Sequence, residues 1–213
     1  MSRKTTRGWS AAVNLGPPVN TSSWESQPCI SPDGKKLYFV SNRRGGQGKM
    51  DIWVSGLNPS GNWNPPVNLG PGVNTPEDEN SPFIHFDNRT LYFSSKGHVG
   101  MGGLDIYRAR IDSSGVPEEI MNLGSPINTN HDETGLAVNA AGNKAYFSSD
   151  RLEGKGKDIY VFDLPVALRP DPVTYLKGIV FDAGSLERLV AKFELIDLLK
   201  AETIMEAWSD RNG

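Results

Sequence analysis

Cysteine is nearly absent: Cys29 stands alone in 213 residues, so the chain forms no internal disulfide. With no second cysteine and no histidine near it in sequence, it reads as a small buried hydrophobe rather than a metal ligand. Positive charge is not in excess either. Lys and Arg number 22 against 25 Asp and Glu, a net charge of -3, which excludes the basic field of a nucleic-acid binder. No apolar run approaches the roughly 18 to 20 residues that cross a bilayer, so no membrane span is expected in this segment. The basic, polar start Met1 to Gly8 is not followed by the apolar stretch of a signal peptide. A Gly-x-Ser-x-Gly elbow, a His-Glu-x-x-His pair and a phosphate-binding P-loop are all missing, which removes the commonest hydrolase and nucleotide motifs. No cofactor is expected.

Turn formers, by contrast, are abundant: 23 glycines and 15 prolines favour many short strands over helices. They also recur in order. Val13, Val67 and Met121 each precede Asn-Leu-Gly at intervals of 54 residues, and Leu37, Leu91 and Ala145 precede Tyr-Phe at the same interval. Asp51, Asp105 and Asp158 each precede Ile and an aromatic residue, and Trp9 matches Trp63, with Pro117 in the third copy. Agreement at several places over three copies identifies an internal repeat, which decides the architecture before any single motif does.

Within a copy, Gln27 to Ser31 reads as a strand and Pro32-Asp33-Gly34 as a tight turn: proline sets φ, aspartate bonds its own backbone and glycine accepts positive φ. Leu37 to Ser41 and Asp51 to Leu57 are rich in strand formers, and a Gly-rich connection separates them. Strands are expected near 26–31, 37–41, 51–57 and 62–69, then 80–86, 91–95, 105–111 and 118–123, then 134–139, 145–149 and 158–163, with an outer strand near 9–16. Four short antiparallel strands per unit of this length is the pattern of a β-propeller blade. The expected fold is therefore all-β: a partial, about three-bladed propeller of four-stranded blades, followed by an incomplete β-sandwich segment. The expected divisions are 1–8 disordered, 9–163 propeller repeats (blades about 9–57, 58–111 and 112–163), 164–174 a proline-rich linker and 175–213 the sandwich segment. Three blades do not close a ring when about four to eight are typical. Either further blades lie upstream, the reading preferred here, or the open edges pair with another copy.

The run SPDGKKLYFVSNRRGG followed by DIW resembles the Pro-Asp-Gly, TolB-like variety of WD-type propeller repeat. The second copy keeps LYFSSKG and GGLDIY with Phe86-Asp87-Asn88 at the turn, and the third has Ala141-Gly142-Asn143 there. With W-x-x-P-V-N-L-G-x-x-V-N-T before the copies, the chain resembles OmpA-family envelope proteins of Bacteroidetes-type bacteria, similar to the PorE-type component associated with type IX secretion. LKGIVFDAGSLERLVAKFELID and AWSDRNG, after the linker, resemble the opening of a carboxypeptidase-regulatory-like domain. The resemblance implies a periplasmic, outer-membrane-associated module that meets other cell-envelope proteins, and peptidoglycan only through a domain not present here. It also implies that the chain is a fragment. Taken alone, Leu186, Leu189, Val190, Phe193 and Ile196 also fit helical spacing, so strand and helix both stand for that stretch, with strands preferred.

Three glutamates precede the first strand of each copy: Glu25, Glu79 and Glu133. In a propeller such positions lie near the channel mouth, so these carboxylates are the candidate partner-binding rim, suited to a basic peptide or a cation. The competing reading is that each glutamate bonds the amides of its own loop, and its recurrence in every copy favours that. Asp51, Asp105 and Asp158, with Arg43 and Arg151 (Gly97 in the middle copy), are expected to satisfy loop amides and pair with one another. His85, His98 and His131 are too scattered for a metal site; His131 beside Asp132 and Glu133 is the least ordinary. The Gly-rich runs sit between strands and read as hairpin loops, not phosphate cradles. No catalytic residue is assigned, and the expected activity is non-catalytic. The rival is a ligand-binding or hydrolytic propeller, of glycosidase or peptidase type, that uses the acidic rim.

Overall fold

The computed structural model describes residues 4–5, 8–152, 154–174, 179–199 and 201–209. The chain divides into two units, Met1–Val173 and Thr174–Gly213. In the first, β1 (Lys4–Thr5) and β2 (Gly8–Trp9) form a small hairpin. Then come β3 (Glu25–Ile30), β4 (Lys36–Ser41), β5 (Asp51–Gly56) and β6 (Val67–Asn68), a four-stranded antiparallel sheet in chain order. A second such sheet follows from β7 (Glu79–Ile84), β8 (Thr90–Ser95), β9 (Asp105–Ile111) and β10 (Pro117–Asn122). A third has three strands, β11 (Glu133–Val138), β12 (Lys144–Ser149) and β13 (Asp158–Asp163). This is a partial three-bladed propeller, all-β as the repeat predicts.

Backbone devices repeat with the sequence. The first strand of each blade carries a bulge, and the residue inside it has positive φ each time: Gln27, Ser81 and Gly135. The hairpin turn behind it needs a left-handed residue, supplied by Gly34, Asn88 and Gly142. The third turn is thus Ala140-Ala141-Gly142, one residue earlier than the sequence reading placed it. Asp33 Oδ1 accepts the Lys35 amide at 3.0 Å, and Asp87 Oδ1 accepts the Arg89 and Thr90 amides at 2.9 and 2.8 Å. The third copy has alanine there, and Asn139 Oδ1 accepts the Asn143 and Lys144 amides instead, both at 3.0 Å.

The blades stack face to face. Tyr38, Val40 and Ile52 of the first sheet pack with Ile84, Leu91 and Phe93 of the second, and Tyr92 and Ile106 of the second pack with Leu136, Ala145 and Phe147 of the third. Every residue of β8 is consequently buried, whereas β12 alternates, its buried residues facing the second blade. Alternation marks a half-buried strand and its loss a doubly covered one.

Three expectations need correction. The segment near 9–16 makes no outer strand: only Gly8–Trp9 is a strand, and it pairs with Lys4–Thr5. That pairing also takes Lys4, Thr5 and Gly8 from the stretch 1–8 expected to be disordered, of which 1–3 and 6–7 lie outside the described residues. Blade limits at 57/58 and 111/112 fall inside sheets, since Trp53 pairs with Asn68 and Tyr107 with Asn122. The Asn-Leu-Gly segment closes the sheet before it.

In the second unit, β14 (Lys192–Asp197) and β15 (Glu202–Trp208) form one antiparallel hairpin, to which the incomplete sandwich segment reduces among the described residues. Lys192 Nζ reaches both Glu194 and Glu206 at 2.8 Å. The residues that share helical spacing fall in different elements: Leu186, Leu189 and Val190 in turns and loop, Phe193 and Ile196 in β14. Tyr175 to Gly178, where the regulatory-like resemblance begins, and residues 210–213, where it ends, lie outside the described residues.

Because the middle blade is buried on both faces, Ile106→Ala, at 0% exposure, is expected to lower unfolding free energy by about 2–5 kcal/mol in urea titration. Val99→Ala, on an exposed loop, should stay within about 0.5 kcal/mol.

Candidate functional site

Two blades meet at a joint that begins with Asn-Leu-Gly. Asn68 Oδ1 accepts the Gly70 amide at 2.8 Å, and the Asn74 amide donates to the Gly70 carbonyl at 2.8 Å, so the segment closes into a compact turn. The turn aims the Asn74 side chain back at the preceding blade. Its Oδ1 accepts the Ile52 amide at 2.8 Å while Nδ2 donates to the Ile52 carbonyl and to Asn68 Oδ1, both at 2.9 Å. Asn128 does the same to Ile106, at 2.8 and 2.9 Å, and to Asn122 at 2.7 Å. Both asparagines are buried. One carboxamide therefore replaces a strand partner at the point where the outer strand ends, pairing a buried amide and adding a second donor to a carbonyl that already accepts the Leu69 or Leu123 amide. Sequence reading missed these two residues, although an Asn-Thr pair after Val or Ile recurs at the repeat interval.

The glutamates sit one turn further on. Glu79 Oε2 accepts the Thr75 amide at 2.8 Å, and its Oε1 accepts the Thr75 and Ser95 hydroxyls at 2.6 and 2.7 Å. Glu133 repeats this with Thr129 and Ser149, and Glu25 with Thr21 and Ser41. Glu79 and Glu133 are 0% exposed, and the Glu25 side chain 11%. The structure thus does not present the three carboxylates as an acidic rim: each is enclosed by its own loop, where amides and hydroxyls hold it more closely than a passing ligand would.

Arginine pairs with these glutamates and not with the aspartates. Arg43 lies 3.0 Å from Glu25, and its guanidinium donates to the Pro18 and Val19 carbonyls while covering Phe39 and Trp53. Arg151 lies 3.2 Å from Glu133, donates to Pro126 and Ile127, and covers Phe147 and Tyr160. The middle copy has Gly97 at that position, where a Cβ would meet the Thr75 hydroxyl oxygen at 2.0 Å. His98 fills the place instead. Its Nε2 lies 2.9 Å from the Val73 carbonyl, the equivalent of Val19 and Ile127, and its ring packs on Phe93 and Tyr107. A carbonyl only accepts, so this nitrogen carries the proton.

The exchange changes the electrostatics. Burial acts to raise the Glu25 carboxyl, but the Thr21 hydroxyl and amide, the Ser41 hydroxyl and the Arg43 charge outweigh it and hold the group below its ordinary value. At Glu79 no arginine is present, and burial pushes the carboxyl above its ordinary value despite the Thr75 and Ser95 hydrogen bonds, with Asp51 adding to the rise.

The aspartates organise the Gly-rich loops. Asp51 Oδ2 accepts the Gln47 amide at 2.7 Å, and Asp105 Oδ2 accepts the Met101 and Gly102 amides at 2.8 and 3.1 Å. Asp158 is exposed. Gly48 and Gly102 press these loops on the following joint, where a Cβ would meet the Thr75 and His131 carbonyl oxygens at 2.2 Å. These glycines exist for packing between loop and joint. His85 is buried, with Nε2 3.1 Å from the Asn139 carbonyl in the next blade and Nδ1 accepting the Asp87 amide. His131, Asp132 and Glu133 do not converge, since Asp132 accepts the Leu104 amide and Glu133 is enclosed. Among the described residues no cluster of three His, Cys, Asp or Glu could hold a metal ion. Cys29 packs half-buried against the first inter-blade core, and burial pushes its thiol up.

No family model matches the chain, and no curated protein matches it in sequence. Among solved structures it is similar to TolB from Acinetobacter baumannii, with 16% identity, a TM-score of 0.47, and coverage of 78% of this chain and 37% of that one. It is also similar to a puromycin hydrolase S511A mutant complexed with PGG, at 11% identity and TM-score 0.37, covering 84% of this chain and 32% of that one. The chain thus spans about a third of the length of either.

Two measurements check the site. Asn74→Ala leaves the buried Ile52 amide unpaired and its carbonyl with the Leu69 amide alone, so a loss of about 1–3 kcal/mol is expected in urea titration. The glutamates should differ in pH dependence. A carboxyl raised on folding favours the folded state when protonated, and that contribution is lost as pH rises through the raised value. A lowered one contributes above its ordinary value and loses that as pH falls. As pH rises above about 4.5, Glu79→Gln should gain stability relative to the parent chain, while the stability that Glu25→Gln gives up relative to the parent should be full above about pH 4.5 and shrink as pH falls below it.

Proposed function

We propose that the chain is a non-catalytic protein-interaction and scaffold module of a periplasmic, outer-membrane-associated protein of the OmpA family, working with other envelope components, the type IX secretion machinery among them. Attachment to peptidoglycan would fall to a separate OmpA-like domain. One observation carries the reading: the glutamates repeated between copies are used inside each blade, while the copies differ at exposed loop tips. The loop between the second and third strands offers Arg44 and Gln47 in the first blade, Val99 and Met101 in the second and Leu152 in the third, all exposed. A rigid repeated frame that carries unlike loops suits recognition of macromolecules. Reactive groups of an enzyme would instead break the repeat and face solvent. The acidic rim that a ligand-binding or hydrolytic propeller would use is enclosed here.

The test pairs affinity capture with calorimetry. The immobilised chain should retain a defined set of envelope proteins, and Val99→Asp with Met101→Asp should weaken that retention about tenfold or more, the effect of losing one or two contact residues. Titration with basic peptides, simple sugars and divalent cations should give no saturable heat. Saturable binding of any of them, or hydrolysis of a generic glycoside or peptide that one blade's glutamate variant abolishes, overturns the proposal.

A further inference from the structure

We infer that the cleft between the first and second blades, on the face of the hairpin turns, takes an extended acidic peptide of a partner protein, with Lys36 receiving its carboxylate. The inference rests on the reading of the chain as an interaction module and names the chemistry of one partner. The chain itself shows how such a peptide lies, because the equivalent place one blade further on holds a segment of its own.

Between the second and third blades, the segment that follows β13 turns back. Leu164 and Leu168 enter the core, and Pro170 lies against the third blade's turn, where a Cβ on Gly142 would meet its Cγ at 3.0 Å. Asp171 then docks on the second blade with both of its polar groups. Its carboxylate lies 2.7 Å from Arg110 and 3.5 Å from Arg89, and its amide donates to Asp87 Oδ2 at 2.9 Å. A guanidinium on the carboxylate and a carboxylate on the amide hold one aspartate of an extended segment at two points.

Between the first and second blades lies a cavity of about 570 Å³, lined by Lys36, Asn88, Arg89, Asp112 and Ser113. Asn88 and Arg89 stand at the repeat interval before Gly142 and Asn143, and Lys36 before Thr90, to which Arg110 donates at 2.8 Å. Asp33 stands before Asp87, and among the described residues only its Oδ1 is engaged, by the Ser31 hydroxyl and the Lys35 amide. Asp33 is exposed, whereas Asp171 and Thr90 cover the Asp87 side chain.

The cation has changed strands. Lys36 pairs across the sheet with Gly56, Thr90 with Arg110, and Lys144 with Asp163. Lys144 is thereby neutralised at 2.8 Å. Lys36 faces a glycine, and its ammonium, 3.8 Å from where a Cβ on Gly115 of the second blade would stand, meets no carboxylate among the described residues. Two cations and one carboxylate thus line the cavity, with Asp112 Oδ1 accepting the Val116 amide at 2.7 Å. An inorganic anion has nothing to offer Asp112. A peptide brings a carboxylate to Lys36 together with N–H groups for Asp33 and Asp112, the same pair of groups that Asp171 presents one blade on. The volume lies within the roughly 300–1,000 Å³ of ligand sites. This face is opposite to the Val99 and Met101 loop, since the turns after the first and third strands leave one end of each sheet and the connection after the second leaves the other.

Calorimetric titration of the full chain with the acetylated, amidated peptide Ala-Leu-Ala-Pro-Asp-Ala should give saturable binding in the micromolar to millimolar range. The same peptide with Asn for Asp should bind about tenfold more weakly, the effect of one charge-assisted hydrogen bond. Lys36→Ala should lower affinity about tenfold and leave the urea transition unchanged, and Lys36→Arg should keep the affinity. Lys144→Ala, at the same repeat position, should alter nothing. Absence of saturable heat with the Asp peptide, equal binding of the Asn peptide, or full affinity in Lys36→Ala overturns the proposal. Inorganic phosphate that binds as tightly as the peptide also overturns it. A peptide that fails while Val99→Asp with Met101→Asp still weakens capture of envelope proteins overturns the acidic-peptide cleft and leaves the interaction module standing. Peptide binding through Lys36 in a chain that captures no envelope protein does the reverse.

Discussion

A propeller blade has two apolar faces and no way to cover both by itself, so every other feature of this chain follows from how each sheet obtains a neighbour. The neighbour is held at its rim by one asparagine side chain. Asn74 and Asn128 take over where the outer strand stops, pairing the backbone of an isoleucine that is otherwise sealed between sheets. The cost of burying that isoleucine's amide is offset because the joint turns tightly enough to aim the carboxamide back, and Asn-Leu-Gly precedes it by a fixed distance, its own leucine amide sharing the isoleucine carbonyl. Position, here, is the whole of the chemistry.

Around the clamp, each blade builds a closed polar knot from a glutamate, a threonine and a serine, with a nitrogen donor, Arg43, His98 or Arg151, on the joint carbonyl beside it. The middle blade shows how tolerant the knot is of composition and how strict of geometry. Gly97 cannot be arginine because the Thr75 side chain fills the place of a Cβ, yet His98, one residue on, reaches the same joint carbonyl and lies over the same aromatic pair. No arginine reaches Glu79, and burial holds its carboxyl above the ordinary value. A residue that reads as symmetric in sequence is thus electrostatically distinct in the fold.

How far these features can be read from sequence depends on the range over which each is determined. The hairpins were legible because the turn residues and strand formers act locally: ten of the expected strands, from Glu25–Ile30 to Asp158–Asp163, form near the expected places, and the fourth strand of the first blade shortens to Val67–Asn68. What was not legible is direction. Glu25, Glu79 and Glu133 are visible as a repeat, but whether a carboxylate faces a channel or its own loop depends on the path of four residues before it. The Asn clamps and the substitution of His98 for arginine link residues 22 and 25 positions apart, beyond any local rule. The same limit explains the early placement of blade boundaries, since which sheet the Asn-Leu-Gly segment joins is decided by pairing, not by proximity to the next strand.

Where the repeat is strict, the side chains are occupied with holding the fold; where it relaxes, they face solvent. Tyr38, Tyr92 and Tyr146 share one sequence position but only the first two are covered, so the third exposes in one place what the propeller hides everywhere else. An exposed residue of that kind differs from the ordinary scatter of surface apolar groups, because its buried equivalents specify the shape of what would cover it. The surface that covers Ile52 is a joint with an asparagine at its tip, so the aim of that carboxamide and the burial of the isoleucine are set together. Burial at a repeated position is thus decided by the sheet that packs on it and not by the residue that occupies it.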